Sequence, residues 1–105
     1  MVIWSKPARD DLKNIYSYIH LDSPTLAKKV TDSIVKNVFR LNDFPQMGHI
    51  VPEKNNAVFR ELLIYSYRII YAVRDNDIFI VAILHSKRDF FMSYDDVSGN
   101  DIVSG

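Results

Sequence analysis

The chain has no cysteine and only three glycines. Without thiols neither a disulfide framework nor a thiolate zinc site can form, which fits a cytosolic protein. With so little glycine, the chain also lacks phosphate loops, dinucleotide fingerprints and nucleophile elbows. Its histidines, His20, His49 and His85, are scattered singly, so neither a metal centre nor another cofactor is expected. No apolar run approaches the roughly 20 residues that a membrane span requires, and no basic-then-apolar leader precedes the first apolar segment. The expectation is a cytoplasmic protein that does not engage a membrane.

Charge of one sign is also missing. Lys and Arg number 13, Asp and Glu 13, and the formal net charge is zero. The balance is uneven along the chain, because every basic residue lies before residue 89 while Asp95, Asp96 and Asp101 lie in the last 14 residues. Residues 1–91 therefore carry 13 basic against 10 acidic groups, a net of +3, and the tail carries −3. A body this mildly basic is not expected to bind nucleic acid avidly without sequence preference.

What is present is an ordinary globular chain of 105 residues, 48% hydrophobic, enough for one domain with a modest core. Val2-Ile3-Trp4 reads as a short strand. Ser5 then caps a helix with Pro7 in its first turn, and Ala8, Leu12, Ile15, Tyr16 and Ile19 follow at helical spacing. Ser23-Pro24 repeats that start, and Leu26, Ala27, Val30, Ile34, Val38 and Leu41 form a second stripe. So short a connection predicts an antiparallel helical hairpin. Residues 42–57 read as a loop, punctuated by Pro45, Gly48 and Pro52. Strands are expected at 58–64, 67–73 and 78–84, joined by turns tight enough to make them antiparallel. The sequence predicts an α+β fold in the order β-α-α-β-β-β, a helical hairpin packed on an antiparallel sheet. Residues 1–91 form its single domain, and 92–105 are expected to be a flexible acidic tail.

Side chains alternate along a strand, so Arg68, Ile70, Ala72 and Arg74 share one face, opposite Tyr67, Ile69, Tyr71 and Val73. The second set is continuously apolar or aromatic and suits the helices; Arg68 then projects to the uncovered face. Arg60 lies on the neighbouring strand, and His85, Lys87 and Arg88 leave the end of the next. A face ringed by these cations would suit a phosphodiester or an acidic protein surface, with Arg60 and Lys87 as binding contacts. Cleavage of RNA would need a base, an acid and cations facing the charge that builds on phosphorus. Arg68 and Arg88 could be the cations, and His85 or Tyr94 the acid or base, with His49 and Glu53 as lesser candidates. Each has an ordinary reading too. Arg60 beside Glu61 and Arg74 beside Asp75 fit plain surface charges, His20 fits a helix C-terminus, and a carboxylate such as Glu61 could claim Arg68.

Six short motifs in order carry a resemblance. Val2-Ile3-Trp4-Ser5 is followed by Asp11-Leu12, Ile15 and Tyr18-Ile19, then by Phe44-Pro45-Gln46-Met47-Gly48. Arg60-Glu61-Leu62, Tyr67-Arg68-Ile69-Ile70-Tyr71 and Leu84-His85-Ser86-Lys87-Arg88-Asp89 complete the set. Across residues 2–91 this pattern resembles the RelE/ParE superfamily of bacterial toxins. The resemblance implies a toxin of a type II toxin–antitoxin, plasmid-stabilising pair, silenced by a cognate antitoxin. Its overall pattern is similar to the ParE branch, which poisons DNA gyrase and has no established catalytic residues. The alternative is the RelE branch, a ribosome-dependent mRNA endonuclease (mRNA interferase). On that branch Arg68, Arg88 and Tyr94 fall on the catalytic arginines and C-terminal tyrosine, with His85 as a further candidate. Whether the protein is an enzyme therefore depends on the branch. The loop departs from ribosome-directed members in offering Lys54 where they are rich in lysine. A third reading is an inactive relative.

Overall fold

In the computed structural model, which describes residues 1–54 and 58–86, two serines open the helices. Ser5 Oγ accepts from the Ala8 N–H and Ser23 Oγ from the Leu26 N–H, each at 3.1 Å. Each bond satisfies a donor that the first helical turn cannot pair internally. Pro7 and Pro24 occupy those same first turns, where a missing N–H leaves no bond unmade. Helix α1 spans Lys6–His20 and helix α2 spans Pro24–Arg40, and the short link between them makes the expected hairpin. Ile15 of α1 and Val30, Ile34 and Val38 of α2 point inward. Tyr16 and Leu26, counted in the predicted stripes, are exposed instead. Tyr16 lies about 100° around the helix from Ile15, which takes the inward position.

Among the described residues the sheet has five strands: β1 (Val2–Trp4), β2 (His49–Ile50), β3 (Phe59–Ile64), β4 (Tyr67–Arg74) and β5 (Asp77–His85). Their spatial order is β1-β5-β4-β3-β2. The predicted α+β architecture is therefore observed, with two differences in detail. β1 runs parallel to β5 while the other pairs are antiparallel. Within the expected loop, His49 and Ile50 form a short edge strand against Glu61 and Arg60. Both are exposed, so no buried pattern marks them in the sequence.

The hairpin covers one face, where Leu62, Ile69, Tyr71, Ile78, Ile80 and Ile83 meet the helical stripes. Fully burying each aliphatic side chain there contributes about 1.5–3 kcal/mol. A smaller cluster of Val51, Ile70, Ala82 and Leu84, with Phe59 and Val81 beside it, lies on the other face. Ladder register shifts between Ile70 and Tyr71, which oppose Ala82 and Ile80, so Val81 is an extra residue. Ile78 and Ile80 face the helices before it; after it Ile83 does so, and Ala82 and Leu84 turn to the back.

β1 is three residues long and β5 is nine, so much of β5's outer edge has no strand beside it among the described residues. The start of α1 covers that edge. Ser5 donates its N–H to the Ile80 carbonyl at 3.1 Å and its hydroxyl to the Val81 carbonyl at 3.2 Å. Asp11 Oδ2 accepts the Ile83 N–H at 2.9 Å. Ser5 and Asp11 of the opening motif thus close a sheet edge, a role their spacing alone does not reveal. No helix among the described residues is long and apolar enough to cross a membrane.

Candidate functional site

Arg68 faces away from the helices, as alternation along β4 requires, but the expected open face is covered there. Segment 51–54 folds over it, and Arg68 keeps only 6% of its surface exposed. Its Nε donates to Glu61 Oε1 at 2.6 Å. Its other two nitrogens donate to the two oxygens of Glu53 at 2.8 Å each. The Glu53 pair is the two-pronged geometry that a guanidinium forms with a carboxylate or a phosphate. Together these carboxylates hold the arginine's pKa above its already high ordinary value, the Glu53 bonds most strongly and burial opposing them.

Arg60 is elsewhere. It lies opposite Tyr71 in the β3–β4 register, on the helix side, and donates to the Gly48 carbonyl at 2.8 Å. The Tyr71 hydroxyl donates to the Pro45 carbonyl at 3.0 Å and accepts from the Gly48 N–H at 2.9 Å. Burial pushes the Tyr71 pKa up, with the Gly48 bond pulling the other way. A Cβ at Gly48 would collide with the Glu61 carbonyl oxygen and come within 2.7 Å of the Tyr71 hydroxyl. The Phe44–Gly48 motif thus carries a loop that packs too closely against β3 and β4 for any side chain at its last residue.

His85 also comes out on the helix side. Its ring meets that of Tyr67 edge-on, with centroids 5.9 Å apart. Both line a cleft of about 600 Å³ between the hairpin and the sheet, with Asp11, Tyr18, Tyr65 and Ile83 among its walls. Burial raises the Tyr67 pKa, with Tyr18 adding to the effect. Tyr65, on the rim, holds a left-handed φ of 55°, which a bulky side chain rarely adopts.

The expected ring of cations on one face is therefore corrected. Glu53, Glu61 and Arg68 come together on the back, whereas Arg60 and His85 are on the helix side, and His49 stands exposed on edge strand β2. The extra residue in β5 is what carries His85 away from Arg68. Lys87, Arg88 and Tyr94 lie outside the described residues, as does the tail from 92 onward. No group of three or more acidic, histidine or cysteine side chains able to hold a metal occurs among the described residues. Glu53 as the bidentate partner of Arg68 was not legible in the sequence, which suggested only Glu61.

Residues 2–90 match the family model described as "ParE toxin of type II toxin-antitoxin system, parDE". The chain belongs to the ParE toxin family. A structure described as a chromosomal ParDE TA system from P. aeruginosa superposes on this ParE-family chain with a TM-score of 0.68 at 26% identity, covering 82% of this chain and 95% of the other. A chain of the YoeB-YefM complex from Staphylococcus aureus shares the fold, with a TM-score of 0.52 at 19% identity, covering 81% and 94%. No curated protein matches the sequence. The family description and the P. aeruginosa ParDE TA system support a cognate antitoxin as partner of this ParE-family toxin.

Proposed function

We propose that this ParE-family chain acts by binding rather than by chemistry, with DNA gyrase as its target and a cognate antitoxin as its silencer, in a plasmid-stabilising module of the cytoplasm. The carrying observation is the state of Arg68. On the nuclease reading this arginine would meet charge developing on phosphorus, which requires donors aimed at the reacting group. Here each of its nitrogens already donates to a carboxylate, beneath a covering loop. That arrangement suits a bracing role. The family match supports the same branch.

The second reading is the mRNA endonuclease, and one observation favours it. Glu53 sits 2.8 Å from the Arg68 guanidinium, so a candidate base and a candidate cation are neighbours. Arg88 and Tyr94 would complete that site, with His85 on the far face of the sheet.

Labelled thymidine and methionine incorporation, followed in the minutes after induction without antitoxin, separates the two. On the gyrase reading thymidine incorporation falls first, and the purified protein inhibits DNA supercoiling by gyrase. An earlier fall in methionine incorporation would overturn the proposal and move the mechanism to messenger RNA.

A further inference from the structure

Segment 49–54 holds itself to the sheet like a bound peptide. His49 and Ile50 pair with Glu61 and Arg60, and the Val51 N–H continues the ladder to the Phe59 carbonyl at 3.1 Å. Val51 is fully buried among Ile70, Ala82 and Leu84. Two positions on, Glu53 grips the Arg68 fork, while Pro52 between them is exposed. An apolar key and an anionic key thus help to hold the segment, and the Lys54 ammonium lies over the Phe59 ring of β3, 5.6 Å from its centroid.

The receptor under those keys is built by other elements. Ile70 and Arg68 belong to β4, Ala82 and Leu84 to β5, and Glu61 to β3, so the socket does not depend on the segment that fills it. Edge coverage is also incomplete. β2 pairs with two of the six residues of β3, and Leu62–Ile64 have no strand on their outer side among the described residues. Leu63 there leaves 59% of its surface to solvent. An edge strand of this kind invites another to add to it, and backbone pairing with side-chain pockets is how extended peptides are recognised.

We propose that segment 49–54 is a releasable clasp, and that the β3 edge with Arg68 is a docking surface for a partner segment carrying an apolar residue and, two positions on, a carboxylate. The incoming strand pairs with β3, its apolar residue takes the Val51 socket, and its carboxylate replaces Glu53 on the guanidinium. Glu61 stays in place throughout, because it belongs to β3 itself. Charge selects the partner: an acidic segment matches the fork, and a basic one is repelled by it. This inference stands whether the toxin acts on gyrase or on messenger RNA.

The test uses the full chain carrying Val51→Ala and Glu53→Gln, which weakens both keys and leaves the receptor intact. The probe is the capped hexapeptide His-Ile-Val-Pro-Glu-Lys, the clasp's own sequence, followed by chemical-shift titration. Saturable shifts at β3 amides and at the Arg68 Nε–H are expected, with affinity about tenfold or more weaker when the peptide's glutamate is replaced by glutamine. No saturable binding by the folded variant, or equal affinity for both peptides, overturns the proposal. So does a concentration-dependent dimer of the variant, which would give the site to a second copy of the chain. Amide exchange of the unaltered protein keeps the test open should the variant not fold. The Val51 amide should exchange at least about tenfold faster than Ile69 and Ile80 amides, by opening of the clasp alone. Equal protection would mean that no clasp opens.

Discussion

Arg60 and Arg68 stand on opposite faces of the sheet and hold two ends of the same loop. Arg60 ties down its start through the Gly48 carbonyl, on the helix side. Arg68 ties down its end through Glu53, on the back. Between them the chain wraps around the outer edge of β3. Two cations that the sequence presents as one candidate ligand surface are braces for one piece of backbone.

The Arg68 brace should dominate local stability. Arg68→Ala leaves two carboxylates without their guanidinium and should cost about 3–5 kcal/mol, as breaking a buried ion pair does. Replacing all three partners, as Arg68→Met, Glu53→Leu and Glu61→Leu, should cost much less, because the buried guanidinium and the two carboxylates that face it are removed together. Urea denaturation measures both. The triple variant also separates the functional readings: a binder of gyrase retains killing, and a nuclease that uses Arg68 loses it.

Tyr71 should make stability sensitive to alkali. Burial raises its folded pKa above the unfolded value near 10, so its contribution is complete below about pH 10 and is lost as pH climbs through the folded value. Tyr71→Phe deletes both hydroxyl bonds, strands the Gly48 N–H and should cost about 1–3 kcal/mol at neutral pH. Unfolding free energies from pH 8 to 11 should therefore fall less steeply in the variant. Tyr67, also raised by burial, supplies a residual slope in the variant.

Gly48 leaves no room for even a methyl group. Gly48→Ala drives a carbon into the Glu61 carbonyl and the Tyr71 hydroxyl, and backbone cannot yield as a flexible side chain does. The expected cost is about 1–3 kcal/mol, read as a drop in Tm of roughly 4–8 °C per kcal/mol. An unchanged Tm would show that the loop can lift from β3 without penalty.

Asp11 is expected to act as a backbone acceptor. Asp11→Ala leaves the Ile83 N–H without its partner at the edge of β5, for about 1–3 kcal/mol. Asp11→Asn keeps an oxygen at that position and should recover at least half of the loss. Thermal melts of the two variants make the comparison; equal losses would mean that the charge, and not the hydrogen bond, is what matters.

The helices were legible because their signals are local: Ser5 and Ser23 as caps, prolines just inside, and an apolar residue every three or four positions. β3, β4 and β5 were legible from alternation and from turns too short for anything but hairpins. β2 was not, since two exposed residues acquire strand geometry only by lying against β3. Nor could Glu53 be matched to Arg68, because the loop's path over the sheet, and no sequence interval, joins them. The extra residue at Val81 hides in the run Ile78 to Leu84, where every side chain is apolar and a change of face leaves no trace.

That single residue works as a sorting device. Were Val81 paired within the ladder, β5 would deliver His85 to the back of the sheet, alongside Arg68; with Val81 bulged out of it, the histidine emerges beside Tyr67 instead. Counting, rather than chemistry, decides which of two company sets the imidazole keeps. Deleting Val81 would therefore leave the histidine where it is, because Ala82 would follow Ile80 in a regular ladder with every later pairing kept.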